Sequence, residues 1–113
     1  MEILIEKAEN VNVITLKGSL LAEVQSRELL EKFQALIAEG EVNFIFDLGE
    51  LEFINSSGLG LLLTCLTKSR KAGGEVILAN VPGQVNNLLV MTKLNNIFYN
   101  TDNIPAALKK FEK

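Results

Sequence analysis

A capping amide, two hydroxyls and two glycines stand together in Asn55-Ser56-Ser57-Gly58-Leu59-Gly60, between the apolar run Val42-Asn43-Phe44-Ile45-Phe46 and the leucine-rich residues 61–66. A chain that leaves a buried strand, passes through such a segment and starts a helix leaves backbone N–H groups at the surface. The positive end of the helix dipole lies there too. Beside both stands an oxygen that can be modified. The chemistry this pattern supports is acceptance of an anionic group on a hydroxyl, and Ser56 is the candidate.

Other chemistries lack their residues. The chain has no histidine, which excludes Ser-His-Asp and Cys-His nucleophilic arrangements. A zinc site would need carboxylates and one cysteine, so no metal ligand is assigned. Gly58-Leu59-Gly60 opens like a dinucleotide fingerprint, but Leu63 stands where a third Gly or Ala is needed. Leu61 after Gly60 removes the Gly-Lys-Ser/Thr ending of a P-loop. Glu50 and Glu52 bracket Leu51 in an expected turn and read as a solvated surface pair. Cys65, the only cysteine, falls in an apolar helical stretch and reads as a small buried hydrophobe. The expectation is no catalysis and no cofactor.

The elements that must position Ser56 follow from periodicity. Residues 3–8 and 11–16 are β-rich and read as a hairpin or meander around Glu9-Asn10, the second strand ending at Gly18-Ser19. From Ala22, Leu29, Leu30, Phe33, Leu36 and Ile37 recur at helical spacing until Gly40. Residues 42–48 form a central strand. A helix starts near Ser57 and runs to Ala72, with Asn55, Ser56 or Ser57 as N-cap and the capping role read chiefly at Ser57. Residues 75–79 form a strand, and Pro82 opens a helix whose Val85, Leu88, Leu89 and Thr92 share a face while Val90 and Met91 fall off it. Ile97-Phe98-Tyr99 is a short strand, and Ile104, Ala107, Leu108 and Phe111 stripe a last helix. Strand–helix alternation after the hairpin predicts an α/β fold with a mostly parallel sheet and an antiparallel edge.

Two glycines in one first turn need a reason, since each costs roughly 0.5–1 kcal/mol relative to alanine inside a helix. Either the neighbouring strand or another molecule approaches that backbone closely. Leu59, Leu61, Leu62, Leu63 and Leu66 span more of the helix than one buried stripe, which predicts an exposed leucine surface open to a partner. A phosphate on Ser56 adds roughly -1.5 to -2 charges. An exposed helix N-terminus tolerates that charge, whereas an interface burying it does not. Modification is therefore expected to leave the fold intact and eject the partner.

Bulk properties set the context. The 113 residues are read as one domain, 1–113, with an ample core. A net charge of -3 without a gathered basic face excludes nucleic acid, Lys68, Arg70 and Lys71 reading as compensation of a helix C-terminus. The opening Met1-Glu2-Ile3-Leu4-Ile5-Glu6-Lys7 lacks the pattern of a signal peptide, and no apolar run approaches the roughly 20 residues that cross a bilayer. A cytoplasmic protein without direct membrane insertion is expected.

The stretch Phe44-Ile45-Phe46-Asp47-Leu48-Gly49-Glu50-Leu51-Glu52-Phe53-Ile54-Asn55-Ser56-Ser57-Gly58-Leu59-Gly60 resembles the STAS domain of bacterial anti-sigma factor antagonists. Leu16-Lys17-Gly18-Ser19-Leu20, Gly73-Gly74-Glu75-Val76 and the Val85-Leu88-Leu89 helix followed by Leu94 extend the resemblance over nearly the whole chain. It implies a STAS fold of four or five strands with helices packed against the sheet. It also implies a partner switch regulating sigma-factor-dependent transcription. The unphosphorylated antagonist binds an anti-sigma factor that is also a serine kinase; the kinase phosphorylates the motif's first serine, here Ser56, and a phosphatase restores it. ATP belongs to the kinase. Asn55, Ser57 and Gly58 are expected to shape the site, and Leu59, Leu62, Val90 and Met91 to contact the partner. Asn55 stands where the family usually has Asp, keeping the cap and removing a charge. Leu21 stands where it often has Asp. The alternative reading is a STAS docking subunit, never phosphorylated, of a lipid-transport or signalling complex.

Overall fold

The computed structural model describes residues 2–20 and 23–112; Leu21, and with it the acid-to-leucine departure, lies outside the described residues. Strand β1 (Glu2–Ala8) turns through Glu9 and Asn10, both at positive φ (52° and 72°), into β2 (Val11–Leu20). Two left-handed residues match the twist of a tight hairpin, and the strands pair antiparallel with Glu2 opposite Lys17. Helix α1 (Glu23–Ala38) follows and stops before Gly40 at φ +94°. Then come β3 (Asn43–Asp47), β4 (Leu51–Ile54), α2 (Ser56–Lys71), β5 (Glu75–Ala79) and α3 (Gly83–Met91). A 3-10 turn (Leu94–Asn96), β6 (Tyr99–Thr101) and α4 (Ile104–Lys109) complete the order.

The sheet runs β1-β2-β3-β5-β6, with β4 paired to the far end of β2. Among the described pairings only β1/β2 is antiparallel: β3, β5 and β6 each follow a helical crossover that restores direction, and β4 follows β3 through residues 48–50 in the same direction along β2. The α/β expectation holds, with six strands among the described residues instead of four or five. The addition is β4, read from sequence as a turn around Glu50 and Glu52. Glu50 does sit in the turn and pairs with Lys17 at 3.3 Å, but Glu52 lies within the strand. Likewise, Gly18-Ser19 does not end β2. The register shifts at that point, Gly18 sits at φ +99°, and the strand continues through the irregularity to pair Leu20 with Ile54.

Both faces of the sheet are covered. Ile14, Leu16, Phe44, Phe46, Val76 and Leu78 meet Leu29 and Phe33 of α1 and Leu62 and Leu66 of α2. Phe33 and Phe44 have ring centroids 4.3 Å apart. Val11, Val13, Ile45, Ile77 and Ala79 form the opposite face beneath α4, which supplies Ala107 with Ile104, Leu108 and Phe111. Period-two alternation sends neighbouring side chains to opposite faces, so the run Phe44-Ile45-Phe46 is buried on both. Residues 97–99 are not a strand as a block. Phe98 anchors in the core, Ile97 closes the 3-10 turn, and pairing with β5 begins only at Tyr99.

Helix α2 is fixed at its far end by backbone contact. The Ser69 hydroxyl donates to the Val42 carbonyl, and a Cβ at Gly74 would overlap that carbonyl and come within 2.7 Å of Val42 Cβ. The Glu75 amide donates to Asn43 Oδ1 at 3.1 Å. The leucines of α2 are consumed by this central position. Leu59, Leu61, Leu62 and Leu66 are buried and Leu63 half-buried, because α1, β4 and β5 enclose three sides of the helix. The expected exposed leucine surface does not exist. Cys65 is buried among them, and burial pushes its thiol up to about 12, which removes it as a nucleophile at neutral pH.

Candidate functional site

Strand β4 delivers the chain to Asn55 in an extended conformation (φ -115°, ψ -178°), the entry that an N-cap requires. Asn55 Oδ1 accepts from the Gly58 amide at 2.9 Å, while its carbonyl accepts from the Leu59 amide at 3.0 Å. The cap is therefore Asn55, not Ser57. Once β4 is recognised the reason is plain: extended backbone persists to Asn55, and Asn caps as well as Ser. Ser56 and Ser57 become the first two helical residues, both exposed, in a turn without an acidic side chain. Intrahelical carbonyls do not reach their amides, so the hydroxyl of Ser56 stands beside backbone donors.

The two glycines separate into different cases. A Cβ at Gly58 would overlap the carbonyl of Leu20 and approach Ile54 Cγ1 at 3.1 Å, so β2 and β4 press directly on the helix backbone. Gly60 has nothing within 4 Å of where its Cβ would be. Close approach within the chain thus accounts for Gly58, while no neighbouring group crowds Gly60.

Of the residues expected to meet a partner, Leu59 and Leu62 are core residues, 1% and 0% exposed, and are withdrawn from any surface. Val90 and Met91, the last two residues of α3, are 53% and 79% exposed. Sequence reasoning missed Phe53, which is 58% exposed on β4 only three residues before Ser56. It was hidden by reading that segment as a turn, and strict alternation from the buried Leu51 would have placed it on the covered face. Phe53, Ile54, Gln84, Asn87, Leu88 and Met91 line a cleft of about 210 Å³ between β4 and α3. The Gln84 side-chain amide donates to the Glu52 carbonyl and ties the two walls together. Among the described residues no cluster of His, Cys, Asp or Glu is arranged to hold a metal ion, and no helix is long and apolar enough to cross a membrane.

Comparison with known proteins fits this geometry. The chain is 28% identical over 112 residues to the anti-sigma F factor antagonist of Paenibacillus polymyxa, covering 99% of this chain and 96% of the relative. An anti-sigma factor antagonist from Mycobacterium paratuberculosis superposes with a TM-score of 0.84 at 23% identity, over 96% of this chain and 92% of that one. SpoIIAA, a Bacillus cell fate determinant, superposes in its phosphorylated form with a TM-score of 0.78 at 21% identity, over 98% and 100% of the two chains. Its unphosphorylated form gives 0.75 at 22%, over 96% of each. Residues 2–109 match the STAS domain family, and the chain belongs to it.

Proposed function

We propose that this chain is an anti-sigma factor antagonist, a single cytoplasmic STAS domain over residues 1–113 that works as a phosphorylation-controlled partner switch. Unphosphorylated, it binds an anti-sigma factor that is also a serine kinase and so frees a sigma factor for transcription. The kinase, using its own ATP, phosphorylates Ser56, the partner is released, and a phosphatase resets the chain. The observation that carries this reading is the placement of Ser56: exposed, first in α2, and within three residues of the exposed Phe53. Asn55 shapes the site by capping, Gly58 by letting α2 seat against β2, and Ser57 by its exposed place beside Ser56. Val90, Met91 and Phe53 offer the apolar contact that Leu59 and Leu62 do not.

The test is phosphopeptide mass spectrometry on the protein from its native cells across growth conditions. Partial, condition-dependent phosphate on Ser56 is the expected result. Full coverage of that peptide with no phosphate under any condition would favour the unphosphorylated docking subunit.

Gly60 provides a second test. An exposed mid-helix glycine with open space around it is a standing cost, and a partner seated against the bare backbone accounts for it. Gly60→Ala is expected to raise stability by about 0.5–1 kcal/mol and to weaken partner binding. Denaturant titration and a binding isotherm read the two effects separately; a variant that gains stability and binds normally would remove Gly60 from the interface.

A further inference from the structure

The two lateral edges of the sheet differ locally in the charges they expose, Glu2 and Glu6 on β1 against Lys109 and Lys110 beside β6. Residues 1–67 hold four basic and eleven acidic side chains, net -7, while residues 68–113 hold seven basic and three acidic, net +4. Most of those charges lie on the helices, inner strands and loops; at the edges themselves β1 carries Glu2, Glu6 and Lys7, while α4 beside β6 carries Lys109, followed by Lys110. Each edge strand pairs on one side only, β1 with β2 and β6 with β5.

The edges also expose apolar groups on one face. Glu2, Leu4 and Glu6 lie opposite Lys17, Thr15 and Val13, and Val13 belongs to the face that α4 covers. Period-two alternation therefore puts Leu4, 40% exposed, between two carboxylates on the α4 face of the β1 edge. On the same face of the β6 edge, Glu75, Ile77, Tyr99, Lys110 and Phe111 line a cleft of about 420 Å³. Its one carboxylate, Glu75, is already paired with Arg70 at 3.0 Å. The Lys110 ammonium has no ion-pair partner among the described residues, and Lys109 beside it is exposed.

We infer that the occupant of this cleft is the β1 edge of a second copy of this chain, in a head-to-tail contact. A copy placed beside the first by translation along the sheet presents β1 antiparallel to β6, because β1 alone opposes the other strands. The α4 faces then coincide. Leu4 meets the wall formed by Tyr99 and Phe111, and Glu2 and Glu6 meet Lys109 and Lys110. A two-fold β1–β1 pairing centred on Leu4 is disfavoured, since it sets Glu2 directly opposite Glu6. Exposed ion pairs are weak and salt-screened, so the contact is transient, and its unlike surfaces allow it to propagate. Neither edge includes Ser56, and the inference is independent of the proposed switch.

Sedimentation velocity over a concentration series, in low and high salt, tests it. The wild-type chain is expected to show a sedimentation coefficient that rises with concentration at low salt, with association at least about tenfold weaker in 0.5 M salt. Lys109→Glu with Lys110→Glu, and separately Glu2→Lys with Glu6→Lys, should each sediment as monomers while keeping the wild-type circular dichroism and melting temperature. Mixed in equal amounts, the two variants should associate again, because each restores the complement of the other. A wild-type chain that stays monomeric up to about 1 mM at low salt would overturn the inference. So would association that neither salt nor charge reversal weakens, or folded variants that fail to associate when mixed.

Discussion

Gly58→Ala is expected to destabilise the protein by about 1–3 kcal/mol, the usual cost of overpacking a site that cannot open. Helix propensity argues the other way by about 1 kcal/mol. Packing wins because the obstacle is the Leu20 carbonyl, backbone of a central strand that no rotamer can move aside, with Ile54 closing the other flank at 3.1 Å. Relief requires the first turn of α2 to lift off β2, and that turn carries Ser56. The same substitution at Gly60, in the same helix, is expected to stabilise. The pair is therefore internally controlled. At roughly 4–8 °C per kcal/mol for a chain near this size, thermal melts should separate the variants in opposite directions from wild type. A Gly58→Ala variant that melts above wild type would mean that the close approach of β2 and β4 to the helix is not a constraint.

That contrast was only half legible in the sequence. The motif predicted that something crowds the two glycines, yet nothing local distinguishes one from the other. The distinction depends on β4, which brings the chain back beside Leu20, and β4 escaped because four residues with burial running in, out, out and half-in do not alternate cleanly. Long periodic segments fared better. The core side chains Leu29, Phe33, Val85 and Leu89 sit where helical spacing put them, and the Phe44-Ile45-Phe46 run is central as its uninterrupted apolarity implied. The leucines of α2 show the limit of periodicity. A wide apolar arc means exposure only if the helix has one covered side, and the number of neighbours is a tertiary fact. Ser56 was identifiable because a hydroxyl at a strand-to-helix junction is a local feature; its apolar neighbour Phe53 was not, since its prominence comes from the missed strand.

Ser56→Ala should bind the partner as well as the unmodified chain and hold it constitutively, while Ser56→Asp should bind more weakly by at least about 30-fold. The direction follows from two unequal costs. At the exposed start of α2 a negative charge meets unpaired amides and no competing acid, which favours it by about 0.3–1 kcal/mol. Inside an interface the same charge, stripped of water and without a matching cation, costs about 2–5 kcal/mol, and each 1.4 kcal/mol is roughly tenfold in affinity. Aspartate carries one charge where a phosphate carries nearly two, so the phosphorylated chain should bind more weakly still. Both variants should melt at or slightly above the wild-type temperature, because Asn55, not Ser56, caps the helix through its bond to the Gly58 amide. That separates this outcome from simple unfolding. Equal affinities for the two variants, with both folded, would rule out an electrostatic switch at this position. Ser56 would then be only an exposed helical serine, and the control of binding would have to lie in the cleft walled by Phe53 and Met91.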